Sequence, residues 1–380
     1  MRIYLDHNAT TPLRDEVVDA MTRVLRDCYG NPSSVHAEGA AARAAVERAR
    51  ERAAALVGAE PEEIVFTAGA TEANNAALHG ALTGAGPGAG LVTTAAEHPS
   101  VEEPAAALEA AGRPVVRLPV DSEGRLADGA LREALAAPVR LVSVLLANNE
   151  TGVLQDAGPL AALCRERGVP LHLDATQAVG KVPVDAAALG ADLLSASAHK
   201  FNGPKGVGFL VRRRGLRLEP WLRGGPQERG RRGGTENLAG IVGLGVACEL
   251  AARELRERAA EWTRLRDLLW QGIREKVARV RRNGSERHVL PNTLSVEFEG
   301  ADGELLVQAL DLEGVAVSSG AACHSGSVTP SRVLLAMGRS AEQARSSLRF
   351  SVGHGTSEAQ VGRVVALLPD LVARAREAAA

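Results

Sequence analysis

Lys200 lies in the run SASAHKFNGPKG, just past a short apolar segment and before a Gly/Pro turn. A lysine desolvated near a strand end can give up its proton and condense with an aldehyde. In an ordinary surface turn the same residue is only a solvated cation. The chain has few other candidates, because its lysines are Lys181, Lys200, Lys205 and Lys276. Lys181 in GKVP and Lys205 in GPKG are turn-like, and Lys276 falls in an exposed helical pattern. Lys200 is therefore the best placed for Schiff-base chemistry. Asp174 follows the apolar LHL and is expected to emerge at a strand end. A carboxylate there could hold the protonated pyridine nitrogen of pyridoxal phosphate, the pairing that makes the ring an electron sink, or it could cap the next turn. Gln177, three residues on, could reach the hydroxyl of such a ring.

Further polar residues fit the same ligand. Gly69, Ala70 and Thr71, between a strand and a helix, offer backbone N–H groups and a hydroxyl, an anion site at a helix N-terminus or a plain N-cap. Ser197 could add a second hydroxyl to the same phosphate. His98, in AAEHPS, could stack on a flat ring, although a lone histidine is more often structural. Arg349 is the positive charge in the apolar run LRFSVG. It could grip a carboxylate through two N–H bonds or form an edge-strand salt bridge. Cys323 lies in SSGAACHSGSVTPS, a long stretch of small residues, whereas Cys28, Cys164 and Cys248 lie in or beside helical stretches. An exposed, mobile loop suits a thiol that must travel to a substrate, and the neighbouring His324 could lower its pKa.

The elements that must position these residues follow from periodicity. Short apolar runs alternate with helical stretches: EIVFTAGA (63–70), GLVTTAAEHP (90–99), RLVSVLLANNE (140–150), PLHLDATQ (170–177), DLLSASAHK (192–200) and GVGFLVRR (206–213) read as strands. Continuous apolar strands with helices between them predict an α/β fold, with a mostly parallel central sheet covered on both faces. In such sheets ligands bind beyond the carboxyl ends of the strands, where TAGATE, AAEHPS, ANNETG, DATQ and SAHK all fall. From about 236 to 280 runs a Glu/Arg-rich amphipathic helix, with RRNGSE (281–286) as a turn. The remainder reads as a smaller α+β domain. GAGPGAG (84–90) precedes a strand instead of opening a helix, so it is a loop and no dinucleotide fingerprint.

Composition bounds the setting. The 380 residues carry a net charge of −2, with no global signature of nucleic-acid binding. Hydrophobic residues make up 45% and aromatics only 3%, so the core is built from Ala, Val and Leu. The four cysteines are scattered singly with no CxxC pair, which argues against a disulfide scaffold or a metal cage and suits a reducing, cytoplasmic compartment. No run is long and apolar enough to predict a membrane span, and MRIYLDHNATTP lacks the apolar core of a signal peptide.

Together YLDHNATTP, GNPSSVH, FTAGATEANN, EHPSV, ANNETG, HLDATQAVGK, SAHKFNGPKGVG, GGPQERGRRGGTEN, SSGAACHSG and LRFSVG strongly resemble the cysteine desulfurases of the NifS/IscS type. These belong to the class V aminotransferase group of fold-type I pyridoxal-phosphate enzymes. The resemblance runs from residue 4 to past residue 350. It implies that Lys200 carries the cofactor, that His98 stacks on its ring and assists proton transfer, and that Asp174 pairs with the ring nitrogen. Gln177 and Asn149 would contact the ring oxygen or the substrate, Thr71, Ser197 and His199 the phosphate, and Arg349 the substrate carboxylate. Thr235 would reach the phosphate of a neighbouring subunit, which implies a homodimer. Cys323 would take sulfur from L-cysteine as a persulfide, leave L-alanine, and pass the sulfur to an acceptor protein, an iron–sulfur scaffold or a tRNA-thiolation protein. The implied organisation is a large cofactor-binding domain over 14–255. A small domain would join 1–13 to 256–380 and carry the cysteine loop at about 320–330. GAACHS, with LANNETG and GTEN, is also similar to the selenocysteine lyases, which share the fold.

Overall fold

The computed structural model describes residues 2–86, 88–127, 129–319, 321–324 and 327–379, and the side chains of 321–328 lie outside that description. A seven-stranded sheet occupies the first two thirds of the chain. Its strands are β2 (Ile64–Thr67), β3 (Gly90–Thr94), β4 (Val115–Leu118), β5 (Val139–Leu145), β6 (Leu171–Asp174), β7 (Leu193–Ser197) and β8 (Gly208–Arg212), in the order β2-β8-β7-β6-β5-β3-β4. Pairing is parallel from β4 through β7, and β8 is antiparallel to both β7 and β2. Six strands therefore point one way, and the segments after β2, β3, β5, β6 and β7 share one edge.

The apolar runs lack strict alternation because both faces are covered. Val142, Leu173, Leu194 and Phe209 pack on one face with the helix Ala37–Val57 and the first part of the helix Leu238–Lys276. Leu141, Leu193 and Leu210 turn to the other face, against the helices Ala70–Leu82 and Pro99–Ala110. The mostly parallel, doubly covered sheet is the architecture expected from the sequence.

A second core lies beyond. Strand β10 (Thr293–Phe298) pairs antiparallel with β9 (Val280–Arg282) and β15 (Ser347–Ser351), and β15 pairs with β12 (Ser318–Ser319). The helices Gly303–Leu312 and Glu358–Ala379 cover this sheet. The N-terminal strand β1 (Ile3–Tyr4) joins this unit by pairing parallel with β11 (Val315–Ala316), and Leu5 is buried beside Phe350. The long helix Leu238–Lys276 serves both cores, contributing Ile241 to Ala251 to the first and Trp262 to Ile273 to the second.

Several elements depart from expectation. The start of RRNGSE, expected as a turn, is the edge strand β9, where Arg281 faces Glu297 across the pair. Charged residues mask strand propensity, yet they suit an edge. The segment near Cys323, expected as a loop, pairs its backbone as a hairpin of β13 (Ala321–His324) and β14 (Ser327–Pro330), with Cys323 opposite Val328. Small residues carry little strand signal. The helices Asp15–Asp27 and Ala37–Val57 have no counterpart among the sequence expectations. Among the described residues no helix is long and apolar enough to cross a membrane.

Candidate active site

A cavity of about 930 Å³ opens at the carboxyl edge of the large sheet. Its lining includes Thr71, His98, Asn149, Asp174, Gln177, Ser197, His199 and Lys200. These eight residues come from the ends of five strands, and the common direction of those strands brings them together.

Lys200 ends the single turn Ala198–Lys200 directly after β7. Its Nζ donates to the backbone oxygens of Asn8 at 2.7 Å and Ala9 at 2.9 Å. Burial pushes its pKa down to about 8, and the Arg349 charge pushes the same way. Lys181 behaves differently from its turn-like sequence. It is fully buried, and its Nζ donates to Asn8 Oδ1 at 2.9 Å and to Gln177 Oε1. Gln177 in turn donates from Nε2 to the Asn8 carbonyl at 2.9 Å, and a second N–H of that amide stays available to a ligand. Lys205, the other turn-like lysine, lines the cavity.

Asp174 is buried, and both its oxygens accept hydrogen bonds. Oδ1 takes the Thr176 N–H at 3.0 Å and Oδ2 takes an Asn74 Nδ2–H at 2.7 Å. Both partners are donors, so the side chain serves here only as an acceptor. His98 is the N-cap of the helix Pro99–Ala110, with Nδ1 accepting from the Ser100 N–H at 3.0 Å. Burial lowers its pKa, and Lys200 adds to that while Asp174 opposes it. The imidazole is thus neutral near pH 7, with its proton on Nε2.

One part of the cavity wall is formed at Gly69, which takes φ +151°, a region that side chains disfavour, and so turns the chain abruptly into the helix Ala70–Leu82. The first N–H groups of that helix and the hydroxyls of Thr71 and Ser197 meet there. His199 joins them. Its Nδ1 lies 3.2 Å from Thr10 Oγ1, and burial together with Lys200 pushes its pKa down to about 4.

Three predicted residues lie outside this lining. Thr235 lines a smaller neighbouring cleft of about 110 Å³ that shares Ala68 and Gly206 with the main cavity. Arg349 is not on an edge, because β15 runs between β10 and β12. Its Nη2 pairs with Asp6 Oδ1 at 2.6 Å, its Nη1 donates to the Asn149 carbonyl at 2.9 Å, and its Nε is buried without a partner among the described residues. Cys323 has its side chain outside the described residues. Sequence reasoning missed Asn8, which ties Lys181, Lys200 and Gln177 to Thr293 and Asn292 of the second core. It also missed Asn74, although paired asparagines inside the helix EANNAALHGAL were a visible signal.

An unprotonated-prone amine, an acceptor-only carboxylate, a neutral imidazole and a helix N-terminus with two hydroxyls suit pyridoxal phosphate, which carries an aldehyde, a basic ring nitrogen and a dianion. The comparisons agree. Residues 3–364 match the family model described as aminotransferase class-V. A curated relative, "Cysteine desulfurase IscS" of Dictyoglomus turgidum, is 42% identical over 375 residues, spanning 98% of this chain and 95% of the relative. A solved NifS-like protein superposes with a TM-score of 0.91 at 36% identity, over 98% of this chain and 100% of that one. The structure of SspA in complex with cysteine superposes with a TM-score of 0.81 at 34% identity, over 93% and 99%. The chain belongs to the class-V aminotransferase family of pyridoxal-phosphate enzymes, among its cysteine desulfurases.

Proposed function

We propose that this chain converts L-cysteine to L-alanine and carries the sulfur on Cys323 as a persulfide, for iron–sulfur cluster assembly or tRNA thiolation. The observation that carries the reading is Lys200. Its amine sits in a cavity, held by two carbonyls and facing the same space as Asp174. Bound there, pyridoxal phosphate would supply an aldehyde for Lys200 and a ring that accepts electrons from the substrate. Asp174 would hold the ring nitrogen and His98 would pack against the ring. Thr71, Ser197 and His199 would hold the phosphate, and Gln177 and Asn149 would meet the ring oxygen and substrate.

The free Lys200 amine would remove the Cα proton of bound substrate, a step helped by a pKa of about 8. Arg349 meets the substrate carboxylate in competition with Asp6, with its free Nε as a further donor. The Cys323 thiolate then bonds to the substrate sulfur while the Cβ–S bond breaks. The electron pair of that bond stays with Cβ, which takes a proton, and the proton that Lys200 removed returns to Cα to give alanine. In the same reading, 14–255 forms the large domain, and 1–13 with 256–380 the small one, carrying the cysteine segment. The enzyme works as a cytoplasmic homodimer, with Thr235 reaching the partner's phosphate, and an acceptor protein collects the sulfur.

The test is release of sulfide and alanine from cysteine with a reductant. Cys323→Ala is expected to abolish sulfide release, and wild-type rates in that variant overturn the persulfide role. Purified protein should be yellow, and Lys200→Ala should lose that colour. The sequence GAACHS favours a second reading, selenocysteine lyase, and a kcat/KM higher for selenocysteine than for cysteine would establish it.

A further inference from the structure

Asn74 lies in the helix Ala70–Leu82, fully buried, and does not line the cavity. Its Nδ2 donates in two directions, to Asp174 Oδ2 at 2.7 Å and to Ser100 Oγ at 2.8 Å. Ser100 Oγ lies 2.8 Å from His98 Nδ1. The amide oxygen of Asn74 has no hydrogen-bond partner among the described residues. An amide flipped end for end would give that oxygen one bond at most, from the Ser100 hydroxyl, and set it against the Asp174 carboxylate, so the charge of Asp174 dictates which way Asn74 faces. The hydrogen-bond sense then propagates. With Ser100 Oγ accepting from Asn74, its own O–H is free to donate, and His98 Nδ1, already an acceptor for the Ser100 N–H, receives it.

We propose that Asn74 is a positioning residue that orients Asp174 and the Ser100–His98 pair through one amide group, and so couples the two side chains that face the cofactor ring. This rests on the assignment of Asp174 to the ring nitrogen. The unpartnered oxygen is explained by it, because the amide leaves one acceptor unused in order to aim both N–H groups.

The proposal is tested on cofactor-free protein by titration with pyridoxal phosphate. Asn74→Ala is expected to raise the Kd roughly 10- to 100-fold, the loss of one hydrogen bond to a charged group. Asn74→Asp keeps the shape but replaces the donor with an acceptor facing Asp174, so it should bind more weakly than Asn74→Ala. A purely packing role predicts the reverse order and would overturn the proposal. Ser100→Ala leaves the Asp174 bond and should bind within about threefold of wild type. In ¹⁵N spectra of histidine-labelled apoprotein, Asn74→Ala and Ser100→Ala should move the His98 Nδ1 signal in the same direction. A wild-type signal in Asn74→Ala refutes the coupling. Asp174→Asn separates the two levels. If it does not weaken binding, the ring-nitrogen assignment fails. If it does and Asn74→Ala does not, only the present inference fails.

Discussion

Folding places the Lys200 amine where its charge is disfavoured, and that has a thermodynamic signature. Its pKa is about 8 in the folded protein, against an ordinary 10.5. Between those values the unfolded chain binds more protons than the folded one, so stability rises with pH across that window. The gap corresponds to about 3 kcal/mol, fully present as a penalty below pH 8 and gone near pH 10.5. Lys200→Met removes the titration. It also removes two hydrogen bonds to the Asn8 and Ala9 carbonyls, but that loss is the same at every pH. The quantity to measure is therefore the change with pH in the stability difference between wild type and variant. Equilibrium urea unfolding of the cofactor-free proteins at pH 7 and pH 10.5 supplies it. Wild type is expected to gain about 3 kcal/mol on the variant over that interval. A difference that stays constant, or one that moves the other way, refutes the claim that burial lowers the Lys200 pKa.

Three further outcomes follow from the packing. Arg50 and Glu228 form a buried pair with bonds of 2.9 and 2.8 Å, so Arg50→Met strands a buried carboxylate and should cost about 3–5 kcal/mol in urea unfolding. Gly69→Ala must hold φ near +151° with a side chain, which should cost about 1–3 kcal/mol and weaken pyridoxal phosphate in a Kd titration. A Cβ at Gly208 would lie 2.4 Å from the Ala196 carbonyl and 2.8 Å from Gly69 Cα, so Gly208→Ala should lower the Tm and disturb the same anion site.

Much of the site was legible because its residues follow apolar strands at short range. Thr71, His98, Asn149, Asp174, Ser197 and Lys200 each sit at the end of, or a few residues past, a run whose composition alone marks it as a buried strand. Lys181 was misjudged as a turn lysine because the turn around it is real while the direction of its side chain is not local information. The strand Val280–Arg282 was hidden because its arginines are accommodated by an edge position that only pairing reveals.

The sequence by itself determined the chemistry available, the strand ends at which it appears and the family that uses it. Those depend on residue type and on periodicity over a few positions. The tertiary structure alone decided which groups share a proton or a charge. The Asn8 N–H donates to Ser351 Oγ across 343 positions and its carbonyl accepts from Lys200 across 192, so the turn after the N-terminal strand completes a site otherwise built from the large sheet. Asn74 meets Asp174 across 100 positions. Such bonds exist only after the sheet has brought its strand ends together, and no local pattern encodes them.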